Sequence, residues 1–400
     1  MAKLGDICTV VSGSTPKTGV AEYWDGTVKW ITPAELNEDS FYITDSVRHI
    51  TEYGKEKTGL SYLPKGTVIL SSRAPIGKTA IAGCEMCCNQ GFKNLICSDA
   101  VYNEYLYFFL KSKTDYLNSL GRGATFKEIS KSIVEKIEIP LPNIEKQHQI
   151  VKELKATRNL IAHRKQQLTK LDELVKARFV EMFGNFVYEL DRWSTCEIGD
   201  VADTIDPQPS HRTPPVSLDG IPYIGIAECN YQTRKIAFKS ARKVGKDVLK
   251  EHKNRYTLND GDFIIGKIGT IGKPFFLPTD CDYTLSANTV LIKPQKDKIS
   301  PRFLFAIFES EYMDRIIDAE KKSTSQPAFG IQKVRSIEIP LPPLSLQNQF
   351  ADFAAEVDKS KLFVGSAAAH KPFDIGFFSQ KHCATPCKRG IISSKHMIFH

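Results

Sequence analysis

No stretch of the 400 residues approaches the roughly 18 consecutive apolar residues that a membrane-spanning helix needs. The opening Met1-Ala2-Lys3-Leu4-Gly5-Asp6 also lacks the charged-then-apolar build of a secretion signal. Both absences point to a cytoplasmic chain with no membrane partner. Equally absent are Gly-x-Gly-x-x-Gly, the Asp/Asn-Pro-Pro-Tyr/Phe of amino-methyltransferases and the paired carboxylates plus lysine of nucleases. One phosphate-binding loop is half present: Ala74-Pro75-Ile76-Gly77-Lys78-Thr79 has the right ending, but Ser72 stands where the first glycine belongs. A basic turn is the better reading. Ten cysteines include Cys84, Cys87, Cys88 and Cys97 in one neighbourhood, yet no second Cys-x-x-Cys follows to complete a tetrahedral zinc site. In the cytoplasm they are expected to be reduced thiols. Together these gaps predict a non-enzyme that carries no metal and no cofactor of its own.

Charge of one sign is scarce where it would matter. The net charge of +8 hints at a polyanionic partner, but residues 359–400 hold seven basic residues against the lone acid Asp374, leaving +2 for everything before them. Any nucleic-acid contact must therefore rest on local clusters.

What the chain does have is a repeat. Ile137-Glu138-Ile139-Pro140-Leu141-Pro142 returns letter for letter as Ile337-Glu338-Ile339-Pro340-Leu341-Pro342. Other landmarks keep the same order: Leu4-Gly5-Asp6-Ile7 with Ile198-Gly199-Asp200-Val201, Leu63-Pro64-Lys65-Gly66 with Leu258-Asn259-Asp260-Gly261, and Ile76-Gly77-Lys78 with Ile271-Gly272-Lys273. Two copies of one unit follow from this order. Each copy is rich in strand and turn signals, such as Gly5 to Gly13, Thr27 to Ile31 and Gly66 to Ser71, with a helix expected from Asn103 to Tyr116 under an Asn103 cap. The fold class is α+β, with a curved sheet in each unit.

Between the copies lies the longest helical pattern. Leu154, Ile161, Leu168, Val175 and Met182 recur every seven residues, the spacing of a coiled-coil seam. At about 1.5 Å per residue such a helix spans about 60 Å, enough to hold two domains well apart. The second hexamer leads into Pro343 to Phe350, matching Asn143 to Ile150, so a second helix starts at the equivalent place and is expected to pack antiparallel to the first. Its heptads stop near Lys361, which predicts a truncated helix followed by a foreign or frame-shifted tail.

Several turns hold residue types suited to nucleic acid. Arg73 and Lys78, with Lys267 and Lys273 in the repeat, suit phosphates or guanine edges; Gln90 and Asn288 suit adenine. Thr15 and Lys17, Lys93, and the proline-bounded His211 and Arg212 complete the candidate set.

Two globular units, each followed by Ile-Pro-Leu-Pro and a helix with an early Gln-x-x-Ile or Gln-x-x-Phe, resemble the DNA specificity subunit of type I restriction-modification systems. Ser12-Gly13-Ser14-Thr15-Pro16-Lys17, Trp30-Ile31-Thr32-Pro33 and Ser72 to Lys78 are similar to that family's target-recognition landmarks. The resemblance implies target recognition domains at 1–142 and 193–342 joined by two helices, a central one at 143–185 and a C-terminal one at 343–365; the shortening of the second helix departs from the family pattern, and the atypical basic tail at 366–400 is expected to be disordered. It implies double-stranded DNA as ligand, with each domain reading one half of a split site. It further implies two methyltransferase subunits carrying S-adenosylmethionine as partners, and restriction subunits carrying ATP and Mg. The alternatives are a stand-alone two-domain DNA-binding protein, or a truncated and partly defective specificity subunit.

Overall fold

In this computed structural model the described residues are 1–73, 75–123, 127–210, 212–231, 233–323 and 329–366. Of the tail expected at 366–400, Ser366 instead ends the last described helix and 367–400 lie outside the described residues, as does His211. The described chain divides into two compact units, Met1–His163 and the described part of Arg164–Ala368.

The first unit is built on a five-stranded sheet in the order Cys8–Ser12, Phe92–Cys97, Val68–Ser71, Thr79–Ala82, Tyr42–Ile43. Val68–Ser71 and Thr79–Ala82 are apolar or small throughout and buried at every position, as central strands covered on both faces must be. Successive side chains point to opposite faces. Val68 and Leu70 thus join Leu95, Tyr105, Leu106 and Phe108 on one side, where the helix Asn103–Ser112 packs. Ile69 joins Ile31, Ala80, Met86 and Phe92 on the other. A smaller sheet, Arg48–Ile50, Trp24–Ile31 and Cys87–Cys88, stands beside it.

The second unit repeats this plan. Ala202–Ile205, Thr289–Pro294, Phe263–Gly266 and Pro274–Phe276 follow one another as their counterparts do in the first unit, with Phe263 and Ile265 facing one core and Ile264 the other. The parallel pairing of Trp30 with Cys87 returns as Tyr223 with Thr284. Even an unusual backbone conformation repeats: Gly66 and Gly261 both have φ of +92°, a left-handed region that glycine adopts without penalty.

Two local expectations need correction. Residues Gly5 to Gly13 are not one strand, because Leu4–Ile7 forms a helical turn that buries Leu4 and Ile7 before the strand Cys8–Ser12 begins. The helix expected from Asn103 to Tyr116 is two, Asn103–Ser112 and Thr114–Leu120, and Tyr102 rather than Asn103 occupies the N-cap. Asn103 instead donates through Nδ2 to the Gly66 carbonyl, 3.0 Å away.

The identical hexamers close each unit. Ile139 pairs with Ala2 and Ile339 with Cys196, while the amides of Leu4 and Ile198 each donate to the carbonyl of Ile137 and Ile337 at 2.9 Å. The short strand therefore pins the first residues of each unit to its last. Beyond the prolines, Gln147 and Gln347 are fully buried. Oε1 of Gln147 accepts from the Tyr102 amide at 2.8 Å, and Oε1 of Gln347 from the Ser300 amide at 2.9 Å; the Nε2 groups donate back to Pro142 and Pro342 at 2.9 and 2.8 Å. Each glutamine thereby serves an amide that the following helix leaves unpaired.

The helix Ile144–Phe183 has 40 residues, beginning in the first unit and ending in the second. Leu154 is buried in the first unit's core, Val175 is buried and Met182 partly buried in the second, and Ile161 and Leu168 are half-buried. The heptad residues thus serve two different cores. Within the second unit the helix Leu344–Ser366 runs opposite to residues 172–183: Phe350 meets Phe179 and Phe183, while Lys361 pairs with Asp172 at 2.7 Å.

In the first unit, Lys155 of the long helix pairs with Glu104 at 2.9 Å, and the Tyr42 hydroxyl donates to the same carboxylate at 2.7 Å. Burial pushes the Glu104 pKa up, but the bonds from Tyr42, Lys155 and Tyr102 outweigh it and hold the group below its ordinary value. A depressed folded-state pKa contributes stability above the unfolded-state value and loses it as pH falls through the folded one. The melting temperature should therefore drop below about pH 4.3 more steeply in the parent than in Glu104→Gln. Parallel melting curves for the two proteins between neutral and acid pH would refute this role.

Candidate nucleic-acid interface

In the first unit four chain segments come together: the loop joining Val68–Ser71 to Thr79–Ala82, and the segments around Ser14, Cys88 to Gly91 and Ile129. Ser14 donates its amide to Cys88 at 3.0 Å, Ser72 to Gly91 at 2.7 Å and Ile129 to Ser72 at 2.9 Å. The segment around Ser14 to Lys17 is tethered by two indoles, Trp30 Nε1 to the Ser14 carbonyl at 3.0 Å and Trp24 Nε1 to the Lys17 carbonyl at 3.2 Å. The Arg48 guanidinium lies 3.6 Å over the Trp24 ring. The loop after Ser71 is a closed hairpin: Ser71 Oγ accepts from the Lys78 amide at 2.8 Å and donates to the Pro75 carbonyl at 2.7 Å, and Gly77 turns at φ +95°. A strand and not a helix follows it, so its amides do not form a P-loop cradle.

The second unit brings the same places together. Lys267 donates its amide to Asn288 at 2.8 Å and Phe329 donates to Lys267 at 3.0 Å, repeating the Ser72 contacts. Gly272 donates to Gly266 at 3.0 Å as Gly77 does to Ser71. The shared framework carries different side chains in each unit.

Of the candidates, the structure gathers Thr15 and Gln90 side by side, the Thr15 hydroxyl donating to Oε1 of Gln90. Lys17 and Gln90 are exposed; Arg73 is half-buried in the same cluster, bridged to Glu128 through its backbone. Lys78 is half-buried and donates to the Pro33 carbonyl at 3.0 Å. Arg212 and Asn288 are exposed. Lys273 is exposed, with its ammonium 4.4 Å over the Tyr231 ring, and it lines a cavity of about 200 Å³ with Arg234, Arg302 and Glu309.

Lys93 and Lys267 do not fit an exposed reading role. Each is 7 % exposed and already paired, Lys93 with Glu128 at 3.1 Å and Lys267 with Asp206 at 2.6 Å. A buried ammonium needs such a partner, so both lysines tie loops to the core.

One supporting network leaves no mark in the sequence. Burial holds the His252 pKa below the usual histidine range, so the ring is neutral at physiological pH. Nε2 of His252 donates to Oε1 of Gln208 at 2.5 Å, while Nδ1 accepts from the Tyr256 hydroxyl at 3.2 Å. Gln208 in turn donates to Ser210 Oγ at 2.9 Å. The segment leading to Arg212 is thus held from below.

Among the described residues no cluster of His, Cys, Asp and Glu is arranged to hold a metal ion. Cys88 accepts a bond from Asn94 Nδ2 at 2.9 Å, and burial pushes its thiol up to about 12; Cys97 lies opposite Cys8 on neighbouring strands. No described helix is long and apolar enough to cross a membrane.

Two copies of one α+β framework, each with a cluster of tethered loops at the same place, define the class as an internally duplicated two-domain α+β protein. The profile of the type I restriction modification DNA specificity domain matches residues 1–173 and again 191–362, and the chain belongs to that family. It is 31% identical over 370 residues to the type I restriction enzyme MjaIX specificity subunit of Methanocaldococcus jannaschii, covering 87% of this chain and 84% of the relative. It is similar in fold to the type I restriction-modification S subunit of M. genitalium, with TM-score 0.50 and 14% identity over 92% of this chain and 91% of that one. A second solved structure, concerned with complex assembly and conformational transition of the type I R-M system, matches with TM-score 0.55 and 17% identity over 96% and 95% of the two chains.

Proposed function

We propose that the chain is the DNA specificity subunit of a type I restriction-modification complex, reading a bipartite, asymmetric double-stranded target and recruiting two methyltransferase subunits and restriction subunits. The observation that carries this reading is the duplicated loop cluster, built on matching backbone contacts at Ser72 and Lys267 but lined by different side chains. Two such surfaces suit two different half-sites. Thr15, Lys17, Arg73 and Gln90 in the first unit, and Arg212, Lys273 and Asn288 in the second, are the side chains we assign to DNA. Lys78 serves its loop as much as its ligand. The chain itself is non-catalytic, with S-adenosylmethionine, ATP and Mg held by the partner chains in the cytoplasm.

On this reading the domains are 1–142 and 193–342, and the helices Ile144–Phe183 and Leu344–Ser366 serve as a coiled-coil spacer whose second member is short. Exchanging residues 1–136 for another reader should change one half of the methylated site and leave the other intact. A change in both halves, or in neither, would sink the modular reading.

A further inference from the structure

The +2 carried by residues 1–358 conceals one strongly basic segment. Between Arg234 and Arg255 stand Arg234, Lys235, Lys239, Arg242, Lys243, Lys246, Lys250, Lys253 and Arg255, against only Asp247 and Glu251. That is +7 within 22 residues, so the remainder of 1–358 sums to −5. The equivalent stretch of the first unit, Ser40 to Ser61, sets Arg48, Lys55 and Lys57 against Asp45, Glu52 and Glu56 and is neutral. The segment is therefore a property of the second unit alone.

All nine basic residues are exposed. Arg234 pairs with Glu309, Lys253 pairs with Asp282, and the Arg242 guanidinium donates to the Pro214 carbonyl. Lys235, Lys239, Lys243, Lys246, Lys250 and Arg255 have no side-chain partner among the described residues. On the helix Lys246–Arg255 the buried residues are Val248 and His252. Lys246, Lys250 and Lys253 recur at i, i+4 and i+7 on the opposite face, a cationic stripe about 10 Å long. Two contacts fasten this helix and its preceding strand to the segment that carries Arg212: His252 to Gln208, and Arg242 to Pro214. The stripe is thus mechanically joined to a candidate reading loop.

We infer that Lys239, Lys243, Lys246 and Lys250 form a phosphate track, by which the second unit grips the DNA backbone beside its reading loops while the first unit has none at that place. The inference rests on the proposed DNA-recognition role and adds to it an unequal division of labour: the second unit supplies sequence-independent grip. A polyanionic duplex, with a charge every 1.7 Å or so of axis, suits a row of unpaired ammonium groups better than an acidic protein surface does.

The test uses the full complex copurified from cells, a long random-sequence duplex and a series of salt concentrations. Lys243→Gln, Lys246→Gln and Lys250→Gln together should weaken binding about tenfold or more near physiological salt and lower the slope of log affinity against log salt by about 2–3. A control losing the same charge from the first unit, Lys3→Gln, Lys57→Gln and Lys136→Gln, should leave the slope nearly unchanged. The melting temperature should stay at the parent value, because none of the three replaced lysines has a partner in the fold. Equal slopes for variant and control would overturn the inference, as would loss of the partner subunits from the variant, which would assign the stripe to a protein. A variant that loses the slope in a complex whose methylation shows no split target would keep the track and discard the specificity-subunit reading.

Discussion

Lys267→Ala is expected to destabilise the second unit by about 3–5 kcal/mol, the cost of leaving a buried charge without its counter-ion. The Lys267 side chain is 9% exposed and that of Asp206 14%, at a separation of 2.6 Å. Water cannot easily replace the ammonium. Removing both charges, as Lys267→Met with Asp206→Leu, should recover most of the loss, because the pair's attraction and its desolvation penalty nearly cancel. Urea unfolding of Lys267→Met, Asp206→Leu and the double supplies the coupling energy, and amide exchange around Gln208 and Ser210 reports whether the loop loosens first. A single variant that binds DNA poorly while unfolding like the parent would return Lys267 to the role of a direct reader.

The roles of Lys93 and Lys267 show where sequence reasoning stopped. A lysine in a turn reads as an exposed cation, and what reverses that reading is an acid far along the chain: Glu128 lies 35 positions from Lys93, and Asp206 61 positions from Lys267. No local pattern reveals such a partner. Positions whose role is set by backbone geometry are more legible, since a left-handed φ demands glycine wherever it occurs: Gly66 with Gly261, and Gly77 with Gly272, match as residues of the repeat and again as turns of the backbone. The hexamer is legible as a repeat but not as a clasp, because pairing Ile139 with Ala2 depends on a contact across the whole unit. The basic segment from Arg234 to Arg255 is hidden for a different reason: summing charge over 358 residues cancels it against acids elsewhere. Local windows, with exposure known, bring it out.

The same limit applies to the seven-residue pattern. A heptad tells which residues share a face, but not what covers it. Leu154 and Val175 belong to one periodic row, yet each is buried in a different unit. At the second unit's end the covering surface is aromatic. Phe179 has ring centroids of Phe183, Phe186, Phe303 and Phe350 at 5.1, 5.3, 5.6 and 5.4 Å, from its own helix, the segment after it, the helix Pro301–Phe308 and the helix Leu344–Ser366.

Phe179→Ala should consequently cost about 3–5 kcal/mol, since neighbours from four segments cannot all collapse into the space of one ring. Edge-to-face and stacked pairs add to the loss of buried area. Phe179→Leu keeps most of the volume and should cost much less, which separates a cavity from a lost charge or hydrogen bond. The Phe179→Ala variant should also release Lys361 from Asp172, because that pair sits on the two helices that the ring joins. Denaturant unfolding gives the energy, and exchange of the amides in Leu344–Ser366 gives the release. If exchange there stays at the parent rate while overall stability falls, Phe179 fills a core without fastening the second helix to the first.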